Sequence, residues 1–272
     1  ISGPFSQKLD KQKHILEIIT NSATVPYLNW FAERAAEHQD LKFSFICLND
    51  TVPPMLDDMR ERNCDAYWVY FDQRQRKRSY IQSYRRMKKL FKSIRPDVVH
   101  THLFDDGLPG MLAARHTGVP QRVHTKQSTG FHWYYTPKKV RYDRVINRMA
   151  TDLIAVTEEC KEFLIEKERA PKEKVQLIHH GIDFETLTKA DVSSINEFRQ
   201  KFNLNGKKVA VSLSRYIDWK GYRFLIKAMS LLKDRYPDLV FLGVGSGDQL
   251  PELERLIAEH NLQEQFILTG WI

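Results

Sequence analysis

Cysteine is scarce: Cys47, Cys64 and Cys160 are the three in 272 residues. They are odd in number, far apart and without zinc-ligand spacing. That excludes a disulfide scaffold and predicts buried thiols in a reducing cytoplasm. Glycine and proline number 12 and 11, too few for a collagen-like or low-complexity chain. No apolar run approaches the roughly 20 residues of a membrane span, so no transmembrane helix is predicted. No signal peptide is legible, and the first residue is Ile1. Acid is missing from one region. Between Arg74 and Arg95 the chain carries Arg and Lys repeatedly and neither Asp nor Glu. The net charge of +8 is concentrated there and upstream of residue 206. Such a patch attracts phosphate, on a membrane surface or an anionic substrate. No nucleic-acid-binding module accompanies it, so nucleic acid is not an expected partner.

What remains is an ordinary globular composition, 42% hydrophobic and 28% charged, long enough for two domains. Apolar strands alternate with helical stretches. Strands are predicted at 14–19, 43–48, 66–71, 97–100, 121–125, 153–156 and 175–179. Helices are predicted from Pro26, then at 55–62, through the basic segment to Ile94, and at 110–116, 142–150 and 158–168. In the basic helix Tyr80, Ile81, Tyr84, Met87, Leu90, Phe91 and Ile94 recur at helical spacing, leaving Arg78, Arg85, Lys89 and Lys92 outside. This alternation predicts a parallel sheet covered by helices, an α/β domain over 1–182. A polar stretch, 183–205, reads as a linker with a short helical piece at 195–202. A second alternation, 206–272, offers strands at 209–213, 239–244 and 265–268 and helices at 218–236 and 251–260. This is the first half of a second doubly wound domain, with an apolar edge left uncovered.

Two turns are candidates for chemistry. Ser212-Leu-Ser-Arg-Tyr-Ile-Asp-Trp-Lys-Gly221 joins a strand to a helix. Helix-start N–H groups together with Arg215 and Lys220 suit a phosphate or diphosphate. Val244-Gly-Ser-Gly-Asp248 follows the next strand, and Gly245 and Gly247 are expected to let the backbone approach a bound ligand closely. Both turns fall at strand C-termini, where open α/β sheets bind ligands. His100 and His102 alternate on one strand end and so face one side. The adjacent pair His179-His180 points apart. Phe131-His-Trp-Tyr-Tyr135 is an aromatic cluster that packs over its own domain or lines an acceptor pocket. Asp105-Asp106 reads as a loop pair, without the ligand pattern of a metal motif.

The run from Val209 to Gly270 resembles the start of the C-terminal domain of family four of the retaining glycosyltransferases, which have the GT-B fold. The pieces are Ser214-Arg215, Lys220-Gly221, Leu225-Ile-Lys-Ala228, Pro237-Asp-Leu239, Gly243-Val-Gly-Ser-Gly247 and Phe266-Ile-Leu-Thr-Gly270. Upstream, Arg95-Pro-Asp-Val-Val-His-Thr-His102 and Ile178-His-His-Gly-Ile-Asp183 resemble two more of its segments. The resemblance implies transfer of a sugar from a nucleotide diphosphate sugar to a sugar, glycolipid or other small acceptor, with retention of configuration. It implies that Arg215 and Lys220 hold the donor diphosphate, with no cofactor and no bound metal. It also implies polysaccharide or glycolipid biosynthesis in the cytoplasm, with peripheral contact to an anionic membrane.

Three departures shape the expected site. The loop after the first strand, Thr20-Asn-Ser-Ala-Thr24, lacks the family's paired glycines, and Asn21 and Ser22 stand there on the acceptor side with His100, His102 and Lys126. The family's histidine after the fifth strand maps to Lys126 or Gln127 in an ungapped comparison. His124 and Gln127 are therefore the candidate cleft residues beside Arg215 and Lys220. The family's Glu-x7-Glu motif lies further along than Ile272, so the chain reads as truncated and by itself inactive. A sugar-nucleotide epimerase on the same fold, or a catalytically silent binding module, are the alternatives.

Overall fold

The computed structural model describes residues 12–20, 26–35, 37–182, 184 and 191–272. The chain divides into two compact units, Ile1–Asp183 and Phe184–Ile272.

In the first unit, seven parallel strands form one sheet in the order β3-β2-β1-β4-β5-β6-β7. They are β1 (Lys13–Thr20), β2 (Leu41–Asn49), β3 (Asp65–Tyr70), β4 (Val98–Thr101), β5 (Gln121–Lys126), β6 (Asp152–Ala155) and β7 (Val175–Leu177). The helices are α1 (Pro26–Ala35), α2 (Met55–Glu61), α3 (Arg76–Ile94), α4 (Phe104–Thr117), α5 (Phe131–Tyr135), α6 (Val140–Met149) and α7 (Glu158–Glu166). The order reverses between β1 and β4, which pair directly, Glu17 opposite His100. That reversal opens a crevice at the strand C-termini, because successive helices leave the sheet on opposite faces there.

Strand alternation divides the core. Leu16 and Ile18 of β1 face α3 and α4, packing with Met87, Phe91, Ala113 and Ala114. Ile19 faces the other way, with Leu28 of α1 and Met55 and Met59 of α2. The helix α3 packs against α4, with Ser79, Ser83, Met87 and Phe91 buried on α3 and Ala113 and Ala114 of α4 in the same core as Met87 and Phe91. Ser83 donates its hydroxyl to the Ser79 carbonyl, which satisfies it inside the interface. The apolar stripe read from sequence is corrected at one position. Ile81 is 55% exposed, because the interface is centred on the serines rather than on the largest apolar side chains. Arg78, Arg85, Lys89 and Lys92 are exposed. The helix α4 also starts earlier than the sequence reading placed it. Asp105 and Asp106, expected in a loop, form its first turn, where carboxylates favour the positive end of the helix dipole.

The second unit holds α8 (Val192–Lys201), β8 (Lys208–Leu213), α9 (Tyr222–Leu232), β9 (Leu239–Val244), α10 (Leu250–Glu259) and β10 (Phe266–Gly270). Its parallel sheet runs β10-β9-β8. Tyr216, Tyr222, Ile226, Leu253, Ile257 and Phe266 build one core. On the other face Phe198 and Phe202 pack against Leu204, Val240 and Leu242. The segment read as a linker thus contributes α8 to this unit. Val209, Val211 and Leu213 of β8 are exposed.

Two substitutions in α3 separate the observed interface from the sequence stripe. Phe91→Ala is expected to cost about 3–5 kcal/mol, as truncation of a fully buried aromatic does. Ile81→Ala is expected to stay within about 0.5 kcal/mol, as surface changes do. Denaturant melts of both variants test this, and equal losses would contradict the packing described.

Candidate functional site

The β1–β4 crevice concentrates polar groups inside an otherwise apolar sheet. Glu17, His100 and Thr125 sit on neighbouring strands β1, β4 and β5, and His102 lies just beyond β4. His102 Nε2 lies 2.7 Å from Glu17 Oε2, and His100 Nδ1 lies 3.0 Å from the same oxygen. His100 Nε2 is 2.7 Å from Thr125 Oγ1, and the centroids of the two imidazole rings lie 4.1 Å apart, the rings tilted by 43°. Burial by itself would raise the Glu17 carboxyl. Attraction to His100 and hydrogen bonds from both imidazoles outweigh it and hold the group at about 2. Burial and the neighbouring His100 hold His102 down at about 4, so it is neutral at pH 7.

One more carboxylate fixes the rim. Asp106 Oδ1 accepts the N–H groups of His102 and Leu103 at 2.9 Å. Its Oδ2 accepts the Thr20 N–H and hydroxyl at 3.1 Å. The end of β1 is thereby tied to the start of α4. Burial pushes the Asp106 carboxyl up to about 7, against the pull of those N–H donors.

Beside this cluster lies a cavity of about 620 Å³ whose lining includes Phe31, His100, His102, Thr125, His179 and His180. His179 donates its Nδ1–H to the Val156 carbonyl, 2.9 Å away. The volume falls in the range of small-molecule pockets.

Several residues expected at the site are elsewhere. His124 faces the opposite side of the sheet. Its Nδ1 is 2.8 Å from Thr101 Oγ1, and a Cβ on Gly107 of α4 would lie only 2.9 Å from its ring. It is enclosed, because strand alternation sends residue 124 inward where it sends Thr125 to the pocket. Burial and the charge of Lys126 keep it well below the ordinary imidazole range. Lys126 also points away from the pocket, into a buried ion pair with Glu168, which Asn147 bonds as well. Asp143, 3.8 Å from Lys126, binds His132. Lys126 therefore anchors α6 rather than an acceptor. Gln127 is half-buried just past β5. Asn21 and Ser22 lie outside the described residues.

In the second unit the two candidate turns are laced together. Ser214 and Tyr216 donate backbone N–H groups to Val244 and Ser246, at 3.0 and 2.9 Å. Gly245 and Gly247 are required for that contact. A Cβ on Gly245 would lie 2.2 Å from the Ser214 carbonyl oxygen, and on Gly247 2.3 Å from that of Tyr216. Gly245 also has φ of +148°. The glycines thus serve protein–protein approach between the turns. Tyr216 donates its hydroxyl to the Gly243 carbonyl at 2.6 Å and packs edge-on against Tyr222, fixing the first turn from below. Arg215 and Lys220 are exposed at this junction. Among the described residues neither side chain is engaged in an ion pair, whereas nearby Asp218 is taken by Arg223. The turn ends at Gly221, left-handed at φ +73°, which directly follows Lys220 and caps the start of α9.

Sequence reasoning missed Glu17, Thr125 and Asp106. Glu17 had a signal: a lone acid in the apolar run 14–19 demands buried partners.

A doubly wound sheet with a pocket beside its switch point, followed by a second parallel α/β unit, is the arrangement of the GT-B fold. The chain belongs to glycosyltransferase family 4: that family's description matches residues 31–186, and the one for glycosyl transferases group 1 matches 194–272. It is similar to the UDP-Gal:alpha-D-GlcNAc-diphosphoundecaprenol alpha-1,3-galactosyltransferase of Escherichia coli, 30% identical over 196 residues, covering 67% of this chain and 49% of the relative. It is also similar to the 2-deoxystreptamine glucosyltransferase of Streptomyces kanamyceticus, 26% identical over 191 residues, covering 65% of this chain and 49% of the relative. The chain spans about half the length of the curated relatives it matches. Among solved structures, Anabaena Alr3699/HepE in complex with UDP-glucose superposes with a TM-score of 0.77 at 16% identity, over 95% of this chain and 69% of the other. A UDP-N-acetylglucosamine 2-epimerase gives 0.64 at 14% identity, over 96% and 70%. At these identities the likeness is one of fold.

His124 predicts a pH effect. It is held neutral in the folded protein, so below about pH 6.5 the unfolded chain takes up a proton that the folded one refuses. Stability is expected to fall as pH drops from 6.5. His124→Asn, which retains a group for Thr101, is expected to flatten that slope. Urea midpoints from pH 7.5 to 5 measure it, and parallel curves would remove His124 from the account.

Proposed function

We propose that the full-length protein transfers a sugar from a nucleoside diphosphate sugar to a hydroxyl-bearing acceptor, with retention at the anomeric carbon. The observation that carries this reading is the junction of the two turns in the second unit. Two exposed cations without ion-pair partners among the described residues stand on the turn that leads into α9. Cleaving a sugar–phosphate bond leaves negative charge on the diphosphate. Arg215 is suited to bind it bidentately, Lys220 as a point charge, and the helix N–H groups as fixed dipoles. The helix N–H groups do not have to be reoriented during reaction, because the interlocked turns hold the backbone in place.

The acceptor enters the pocket of the first unit, where imidazoles and the Thr125 hydroxyl offer the mixed donors and acceptors that sugar hydroxyls need. The Escherichia coli relative is named for a diphosphoundecaprenol-linked acceptor, and an acceptor of that kind, a sugar on a lipid carrier, is the one proposed here. The exposed face of α3, with Arg78, Arg85, Lys89 and Lys92, then serves as the contact to the anionic cytoplasmic leaflet. Epimerisation on the same fold, as in the 2-epimerase neighbour, is the competing reaction, and it needs no acceptor.

In the full-length protein, Arg215→Ala and Lys220→Ala are each expected to lower kcat/KM about 10²–10³-fold, the usual cost of removing a preorganised transition-state contact. Radiolabelled nucleotide sugars, screened with and without lipid-linked acceptors, provide the assay. Near-normal turnover in both variants would overturn the assignment, and an interconverted nucleotide sugar in place of a transferred one would favour the epimerase. Vesicle sedimentation tests the membrane contact. Binding is expected on anionic but not neutral vesicles, weakening with salt, and lost when the four basic residues of α3 are changed to Gln.

A further inference from the structure

The Glu17–His100–His102 cluster has a chemistry that sugar binding does not require. Two imidazole nitrogens and one carboxylate oxygen converge, and the three ligand atoms lie within 4.8 Å of one another. Two of the separations, 2.7 and 3.0 Å, run to the same oxygen. Ligands about 2.0–2.1 Å from a tetrahedral ion are roughly 3.3 Å apart, so these two separations need to open by only a few tenths of an ångström. We propose that Glu17, His100 and His102 form a binding site for one first-row divalent cation, with Zn²⁺ the best match to two imidazoles and one carboxylate.

Three further features support this. Glu17 and His100 are direct partners in the β1–β4 ladder, so two of the ligands are set on rigid backbone, as metal sites require. The third, His102, is held by the Asp106 carboxylate through its own N–H. His100 also has an outer partner. When its Nδ1 binds the ion, Nε2 carries the proton and donates it to Thr125 Oγ1 at 2.7 Å. That contact fixes the tautomer, the role outer-shell groups play in histidine metal sites. Finally, His100 and His102 line the pocket, which supplies both an entry path and room for a further ligand. Three protein ligands with an open position describe a site that binds an exogenous oxygen, water or a sugar hydroxyl, rather than a closed structural one.

The charge balance agrees with the geometry. Among the described residues, the cluster contains one buried carboxylate, and the ion-pair partners found for it are the two imidazoles. A divalent cation compensates that buried charge more fully than two shared protons. The phosphate-binding junction lies on the other unit and uses none of these residues.

Titration of the metal-stripped chain with Zn²⁺ in a calorimeter tests the proposal. Binding at one ion per chain is expected. Substitution with Co²⁺ is expected to give visible d–d bands of a low-coordinate N,O site. Glu17→Gln and His100→Gln should each abolish the bands, and His100→Gln guards against misfolding because His100 is the least enclosed of the three ligands. Thr125→Val should bind Zn²⁺ about 10–100-fold more weakly with the same stoichiometry. Absence of stoichiometric binding, or variants that bind as the parent does, would overturn the site and leave a purely hydrogen-bonded cluster. The measurement uses neither donor nor acceptor, so its failure is distinct from failure of the transferase reading.

Discussion

The pairing of β1 with β4 is the constraint on which the first unit's site depends. Parallel strands that are distant in sequence meet there because the chain winds outward in both directions from β1. Helices diverge at that point and leave the strand ends uncovered. The ladder sets Glu17 opposite His100. One residue of slip would turn Glu17 into the packed layer of Leu16 and Ile18, where no partner exists for its charge. Register and site are therefore the same fact. The Asp106 carboxylate closes the arrangement by gripping the backbone of both strand ends at once.

The second unit solves a similar problem with backbone alone. Its two turns approach so closely that a methyl group at Gly245 or Gly247 would overlap carbonyl oxygens. Rigidity comes from that fit and from the Tyr216–Tyr222 pair beneath it. Arg215 and Lys220 are then displayed on a fixed frame. For the phosphate site proposed there, this matters more than the cations themselves, since a flexible lysine offers little that solvent does not.

Buried charge is handled differently in the two halves of the first sheet. Near β1 and β4, a carboxylate sits between imidazoles that open onto a pocket. Near β5 and β6, Lys126, Glu168, Asp143 and His132 form a closed network against α6. A closed network of this kind fixes one packing arrangement and is poorly placed for chemistry. The same residue types thus divide into site and scaffold according to whether they open onto the pocket or are enclosed by packed helices.

Much of the architecture was legible in the sequence. Apolar runs of four to eight residues alternating with amphipathic stretches determine a parallel α/β chain, since both faces of each strand must be covered. The Arg215–Lys220 turn and the glycine pair were visible because they follow strands and open helices, a local pattern with a local consequence. The pocket side of the first unit was only half visible. His100 and His102 could be placed on one face from their spacing, but Glu17 and Thr125 join them only through pairing across 83 and 25 residues. The placement of His124 and Lys126 away from the pocket was hidden for the same reason. Sequence places them at a strand end, while the packing of Gly107 and α6 decides that their side of the sheet is closed. Periodicity reports which residues share a face. Which face is left open depends on where the helices pack, and that is a property of the assembled fold.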